Sequence, residues 1–205
     1  MAELDLSQGL PQSITVEGRS YMLRPSFRNV LFCHDLFHDP VLSDVEKVEI
    51  ALERLIDGRY PVALRKKIAL FQAVTTQFLD FSVGPKGDPG PRAMDFLQDA
   101  PYIYAAFQQA YGLDLLGRDC DLHWWAFVSL VASLPDNTRM MEIVSIRTRP
   151  IPKPAKGNQE RRRELMKLKA LYRLKISEEE RQATYQKSLG KLAKYMFSNE
   201  PKKGG

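Results

Sequence analysis

Two histidines have the spacing that comes nearest to a catalytic metal site. The string HDLFH places His34 and His38 one helical turn apart, with Asp35 between them. Histidines at positions i and i+4 of a helix bind zinc in the HExxH metalloproteases, where the glutamate is the general base. Here an aspartate replaces that glutamate, and a third ligand would have to be His123 or a carboxylate distant in sequence. We predict no metal site and keep a metallohydrolase that uses His34 and His38 as an alternative hypothesis.

Other patterns of catalytic chemistry are missing from the sequence. It has no GxSxG nucleophile elbow, and neither Cys33 nor Cys120 has a local catalytic signature. The glycines of GPKGDPGP (84–91) alternate with prolines, which have no N–H group for a phosphate. Asp119 and Asp121 precede a predicted helix, where carboxylates are typical N-terminal charges. We therefore predict a protein that is not an enzyme and has no cofactor.

A His-Trp-Trp block lies in the stretch YGLDLLGRDCDLHWWAF (111–127). On a helix, Trp124 and Phe127 share a face, and aromatic residues at that spacing indicate a core helix. His123, near the start of that helix, is interpreted as a hydrogen-bonded packing residue. The predicted core signature of this region consists of Tyr111, Asp114, His123, Trp124, Trp125 and Phe127.

The elements that would position these residues are mostly helical. SITVEGRSYMLR (13–24) alternates apolar and polar residues around a turn, which predicts a short β-hairpin. Helical periodicity, prolines and caps predict helices from Ser26 to Asp39, from Ser43 to Gly58 and from Pro61 to Leu79. Three more are predicted from Pro101 to Gly112, from Leu122 to Leu134 and from Thr138 to Arg147. The fold class is therefore mainly α: a helical bundle-like domain with one short N-terminal hairpin.

Charge is unevenly distributed along the 205 residues. Residues 1–152 have 15 Lys/Arg and 19 Asp/Glu, whereas residues 153–205 have 15 Lys/Arg and 6 Asp/Glu. Prolines at alternate positions in RPIPKPAKGN (149–158) favour an extended linker. We predict a core domain at 1–150, a linker at 151–158 and a basic tail of two amphipathic helices at 159–205.

The tail is the predicted partner-binding region. Apolar residues at helical spacing follow the linker, and such helices commonly dock on another protein. The predicted partner-binding residues are Arg161, Arg162, Leu165, Leu168, Tyr172, Tyr185, Leu189, Leu192 and Met196. The alternative function is a small nucleic-acid-binding protein, in which the tail arginines and lysines contact phosphates. No stretch approaches the roughly 18 apolar residues of a membrane helix, and the N-terminus lacks a signal peptide pattern, so we expect a cytoplasmic protein.

The order of several motifs resembles a known family. FxxxYGLDL (107–115) is followed by LHWWxF (122–127), by Leu-Pro (134–135), by Thr138 and by IxxIR (143–147), and LRPSFR (23–28) lies upstream. This pattern is similar to the gene product fifteen family of siphophages that infect Gram-positive bacteria, and of their prophages. The resemblance covers roughly residues 10–150.

The resemblance implies a role in phage tail assembly. Members are usually encoded between the major tail protein and the tape-measure protein, a gene order that implies a tail-assembly chaperone in the host cytoplasm. Such a chaperone keeps the long, helical tape-measure protein soluble until tail-tube subunits displace it. The implied partners are the tape-measure protein and the tail-tube protein. The amphipathic tail helices also favour self-association with a further copy of the chain.

Overall fold

The chain divides into two compact units, and the described residues of the first form a small sheet and six α-helices. The structure is a computed structural model that describes residues 4–79 and 93–175. The first unit is Met1–Pro152 and the second is Lys153–Gly205. The described helices of the first unit are α1 (Phe27–Phe37), α2 (Asp44–Leu55), α3 (Leu64–Val74), α4 (Ala100–Tyr111), α5 (Trp124–Ala132) and α6 (Arg139–Thr148). A π-helical segment, Thr75–Leu79, extends α3, and α7 (Gln159–Leu171) lies in the second unit. The predicted mainly α fold is confirmed.

The predicted hairpin is part of a three-stranded antiparallel sheet in the order β1-β2-β3. Strand β1 spans Ser13–Val16, β2 spans Arg19–Leu23 and β3 spans Ile56–Asp57. Ile14 pairs with Tyr21, and Leu23 pairs with Ile56. All four of these side chains are buried. The alternation of a strand thus directs one face of the hairpin into the core.

The third strand was missed by the sequence reasoning, which extended the second helix to Gly58. The helix ends at Leu55, and the next two residues pair with β2. The carbonyl oxygen of Leu55 accepts a hydrogen bond of 2.8 Å from the amide of Arg24. The helix ends at Leu55 because the backbone groups of Ile56 and Asp57 form hydrogen bonds with the edge of β2. A further helical turn would lose these bonds.

Local capping signals define several helix ends. The predicted capping box is present: the Ser43 hydroxyl accepts from the amide of Glu46, whose carboxylate accepts from the amide of Ser43. The hydroxyl of Thr138 accepts from the amide of Met141 at the start of α6. Gly112 ends α4 in the left-handed region, with φ of 66°, where a side chain would be strained.

Helix α5 supplies the centre of the core. The ring of Phe127 stacks on Phe27 at 4.8 Å, on Phe107 at 5.4 Å and on Trp124 at 5.9 Å between centroids. Phe96 packs on the same ring at 5.8 Å. One α5 residue therefore contacts aromatic rings from α1, from α4 and from the segment before α4, and the helices pack around it.

Two predicted features lie outside the described residues. These are the segment 84–91 and the second tail helix, with Tyr185, Leu189, Leu192 and Met196. Within the described ranges, each helix is too short or too polar to cross a lipid bilayer.

Candidate functional site

His123 is the N-cap of α5 and joins three distant parts of the first unit. Its Nδ1 accepts a hydrogen bond of 3.1 Å from the amide of Trp125. Its Nε2 lies 3.0 Å from the carbonyl oxygen of Pro11. The backbone beside it is held as well, because the amide of Trp124 donates to Pro25 and the amide of Phe27 donates to Leu122.

These contacts determine the protonation state of the imidazole. An amide N–H only donates and a carbonyl oxygen only accepts, so Nδ1 is bare and Nε2 carries the hydrogen. Burial lowers the pKa of His123 below its ordinary value, although the bond to Pro11 acts in the opposite direction. The ring is thus neutral, and both of its nitrogens are engaged in hydrogen bonds that hold the fold.

The two tryptophans donate to the end of the π-helical segment. Trp125 Nε1 donates a hydrogen bond of 2.9 Å to the carbonyl oxygen of Phe78, and Trp124 Nε1 donates one of 3.4 Å to that of Leu79. The last carbonyl groups of a helix have no partner within it. Both indoles are buried; the Trp125 bond satisfies groups that water does not reach, whereas the Trp124 bond is part-buried.

Tyr111 and Asp114 organise the loop between α4 and α5. The Tyr111 hydroxyl donates a hydrogen bond of 2.8 Å to the carbonyl oxygen of Leu130, and Asp114 Oδ1 accepts one of 3.0 Å from the amide of Leu116. Arg28 Nη2 donates to the carbonyl oxygens of Leu115 and Gly117 at 2.9 and 2.7 Å.

A buried ion pair between Asp99 and Arg147 was missed by the sequence reasoning. Arg147 Nη1 lies 2.6 Å from Asp99 Oδ2, Nη2 lies 2.8 Å from Oδ1, and the side chains are 7% and 1% exposed. Arg147 also donates to the carbonyl oxygen of Ala93, and Asp99 accepts from the amide of Asp95. Arg147 is the last residue of the family motif IxxIR (143–147). Asp99 lies 48 residues away in the sequence, and no short-range pattern identified it as the partner of Arg147.

His34 and His38 are neighbours in the structure, as their spacing predicts. Their rings lie 4.7 Å apart, and His38 Nδ1 donates a hydrogen bond of 2.6 Å to the carbonyl oxygen of His34. The suggested third ligand, His123, has both nitrogens in other hydrogen bonds. Among residues 4–79 and 93–175, no three His, Cys, Asp or Glu side chains are grouped to hold a metal ion. The geometry therefore does not support the metallohydrolase hypothesis.

An apolar stripe on α3 lies at the surface. The sequence placed Leu64, Ile68 and Phe71 on one face of the third helix, and the structure leaves the first two 45% and 39% exposed. Phe37, itself 38% exposed, stacks on Phe71 with 5.2 Å between ring centroids. We call these four residues the α3 stripe. Neighbouring exposed apolar side chains of this kind are typical of a protein-binding surface.

A second surface feature is a groove beside α2. It consists of two adjoining hollows of about 500 and 250 Å³ that share Leu42 and Ile50 as lining residues. Its carboxylates are Asp35, Asp39, Glu46, Glu49 and Glu53. Its apolar lining includes Phe32, Leu36, Leu42, Ile50 and Tyr60. We call these two hollows the α2 groove. The sequence signal that could have located the groove is the spacing of Glu46, Glu49 and Glu53, which places them on one face of a helix.

Helix α7 presents a basic side to solvent. Of the predicted partner-binding residues, Leu165 is buried, Arg162, Leu168 and Tyr172 are half-buried, and Arg161 is exposed. The opposite side of the helix bears the exposed residues Glu160, Arg163, Met166, Lys167 and Ala170, which we call the α7 outer face. The apolar part of the predicted tail site is therefore the less accessible side of this helix.

Comparison with known proteins finds one match. The model of the family described as bacteriophage Gp15 protein matches residues 6–174. Neither the curated proteins nor the solved structures contain a match to the chain. The matched range takes in the sheet, all described helices, the His-Trp-Trp block and the Asp99–Arg147 pair. The family predicted from the motifs is thus confirmed, and the chain belongs to the bacteriophage Gp15 family.

Proposed function

We propose that this member of the Gp15 family is a non-enzymatic tail-assembly chaperone that binds the tape-measure protein and keeps it soluble in the host cytoplasm. The observation that carries the proposal is the α3 stripe. A partner with apolar stripes along a helix needs an apolar surface to cover them, and the stripe offers one about two helical turns long.

The stripe has the properties of a binding surface rather than of an incompletely formed core. The inward side of the same helix is already packed, because Leu70 and Val74 are 1% and 0% exposed. Phe37 and Phe71 are stacked before any partner arrives. A preformed aromatic pair loses little side-chain entropy on binding, which favours its use as an anchor.

The tail is the second surface in this proposal. Arg161, Arg162, Leu165, Leu168 and Tyr172 remain the predicted partner-binding residues, with the tape-measure protein or a tail-tube subunit as the partner. Because Leu165 is buried, it is not available for a contact through this helix unless the helix moves. Substitutions in the α3 stripe and deletion of the tail therefore test the two surfaces separately.

Co-expression with the tape-measure protein from the same phage tests the proposal. We expect the full chain to raise the soluble fraction of that protein and to be co-purified with it. Ile68→Asp and Phe71→Asp should abolish both effects, and deletion of residues 153–205 should weaken them. Arg65→Asp, an exposed change on the same helix, is the matched control and should behave like wild type. Full solubilisation by both stripe variants would refute the assignment of binding to α3.

A nucleic-acid-binding function is the second candidate, favoured by the basic α7 outer face. Contacts to phosphates would make the affinity fall steeply with salt concentration. Gel shifts with DNA and RNA at low salt, with Arg163→Glu/Lys167→Glu as the comparison, decide this point. An absence of any shift by the full chain would remove the candidate.

A further inference from the structure

The α2 groove and the α7 outer face are complementary in charge. Five carboxylates line the groove. Its nearby cations are Lys67, which pairs with Glu49 at 2.5 Å, Arg54, which lies over the Phe32 ring, and Lys47, which donates to the carbonyl oxygen of Phe37. An excess of two negative charges remains. The α7 outer face bears Arg163 and Lys167 one turn apart, with Glu160 one turn before them, in a second unit that has nine more basic than acidic residues. We propose that the α2 groove of one copy of this chain binds the α7 outer face of a second copy.

The apolar parts of the two surfaces also match. Phe32, Leu42 and Ile50 form the apolar floor of the groove. Met166 lies between the two cations on the α7 outer face and is 47% exposed. A methionine side chain is unbranched and flexible, so it fills irregular apolar hollows with little strain. The ion pairs would then form at the rim while Met166 occupies the floor.

The lengths of the two elements agree. Helix α7 has 13 residues and α2 has 12, which correspond to about 20 and 18 Å at 1.5 Å per residue. Helix α7 can therefore lie along α2, with Arg163 and Lys167 about 6 Å apart on the side that faces the groove. Asp35 and Glu53, which line different hollows, are the carboxylates that the proposal assigns to these two cations.

Pairing between copies follows from the arrangement of these surfaces along the chain. Each copy has one groove and one outer face, so association is head to tail and forms either a reciprocal dimer or a chain of copies. Pairing within one chain is the alternative that the test excludes, because it would leave the protein monomeric at every concentration. This inference concerns self-association and does not depend on binding to a tape-measure protein.

Charge reversal in the full-length protein tests the proposal. The groove variant is Asp35→Lys/Glu53→Lys and the tail variant is Arg163→Glu/Lys167→Glu. The association is measured by sedimentation velocity of nuclease-treated protein. The mass of the wild type should rise with protein concentration at about 0.05 M salt, and at the same protein concentration it should be lower in about 0.5 M salt. Each variant alone should associate at least about tenfold more weakly. An equimolar mixture of the two should recover the association, because each reversed surface then meets its complement.

Matched controls keep the test independent of folding and of net charge. Asp119→Lys/Asp136→Lys changes exposed carboxylates elsewhere on the first unit, and Lys153→Glu/Lys156→Glu changes exposed lysines outside α7. Both should associate as wild type does. Circular dichroism establishes that all variants are folded. A wild-type protein that is monomeric at every concentration, an association that nuclease removes, or a mixture that stays monomeric would each overturn the proposal.

Discussion

The indole of Trp125 donates a buried hydrogen bond of 2.9 Å to the carbonyl oxygen of Phe78, across 47 residues of sequence. The neighbouring indole of Trp124 makes the corresponding bond to Leu79 at 3.4 Å. Both tryptophans of the His-Trp-Trp block are thus bonded to the π-helical segment Thr75–Leu79. Their polar atoms are used by the fold.

Replacing the first of these indoles should destabilise the protein. Trp125→Phe retains an aromatic ring but leaves the Phe78 carbonyl without its N–H donor, so we expect a loss of about 1–3 kcal/mol in the free energy of unfolding. Trp124→Phe removes a longer bond and is the matched comparison. Urea unfolding measures both, and a loss for Trp124→Phe equal to or larger than that for Trp125→Phe would contradict this account.

The Asp99–Arg147 pair should be the most costly ion pair to break in the described part of the chain. Asp99→Asn leaves the Arg147 guanidinium buried without its counter-charge, for which we expect a loss of about 3–5 kcal/mol. Arg147→Lys keeps the charge but not the two parallel bonds, so its loss should be smaller. Glu142→Gln breaks the exposed Arg139–Glu142 pair and should cost less than about 0.5 kcal/mol. Urea unfolding measures these losses. If Asp99→Asn and Glu142→Gln lowered the free energy of unfolding equally, burial would not be the cause of the stability of the Asp99–Arg147 pair.

Stability should fall as the pH is lowered below about 6.5, the ordinary pKa of histidine. Burial places the pKa of folded His123 below that value, so the unfolded chain binds the proton first and acid favours unfolding. The contribution of neutral His123 to the free energy of unfolding is complete above pH 6.5. It is lost as the pH falls toward the pKa that His123 has in the folded protein. Protonation would also remove the acceptor that caps α5.

Urea unfolding between about pH 7.5 and 5.5 measures this dependence, whose slope is at most about 1.4 kcal/mol per pH unit for one group. His123→Asn retains a capping acceptor but does not titrate, so its stability should vary less with pH than that of wild type. His38→Gln is the control and should keep the wild-type slope. An unchanged slope in His123→Asn would assign the effect to other groups.

Cys33 should be unreactive while the protein is folded. Its side chain is 2% exposed, and burial raises the pKa of its thiol to about 11. At pH 8 about one molecule in a thousand has the reactive thiolate. A maleimide should therefore label the half-buried Cys120 first and Cys33 only after unfolding, as read by mass spectrometry of peptides. Rapid labelling of native Cys33 would show that α1 opens readily.

Features that depend on a few neighbouring residues were predictable from the sequence. The Ser43–Glu46 capping box, the Gly112 helix end and the β-hairpin each rest on residue types at fixed short spacing. The same holds for the mainly α fold and for the motif order by which the family was identified. Backbone geometry alone brings such residues together, so no knowledge of the packing is needed.

Contacts between distant segments were decided by the tertiary structure. His34 and His38 had metal-like spacing, yet the second of them bonds to the carbonyl oxygen of the first, and His123 bonds to Pro11, 112 residues away. The third strand formed because the edge of β2 was available to Ile56 and Asp57. Nothing in the periodicity of α3 indicated that Leu64 and Ile68 would stay exposed.

The physical reason is that the sequence determines which groups are apolar, charged or capable of capping, whereas packing determines which of them water still reaches. The amino-acid order alone determined the helices, the charge difference between body and tail, and the family. Only the folded chain decided which distant groups the His-Trp-Trp block bonds to, that Asp99 meets Arg147, and that the α3 stripe and the α2 groove are left at the surface. Burial and long-range pairing arise from the simultaneous packing of all elements, and no local spacing encodes them.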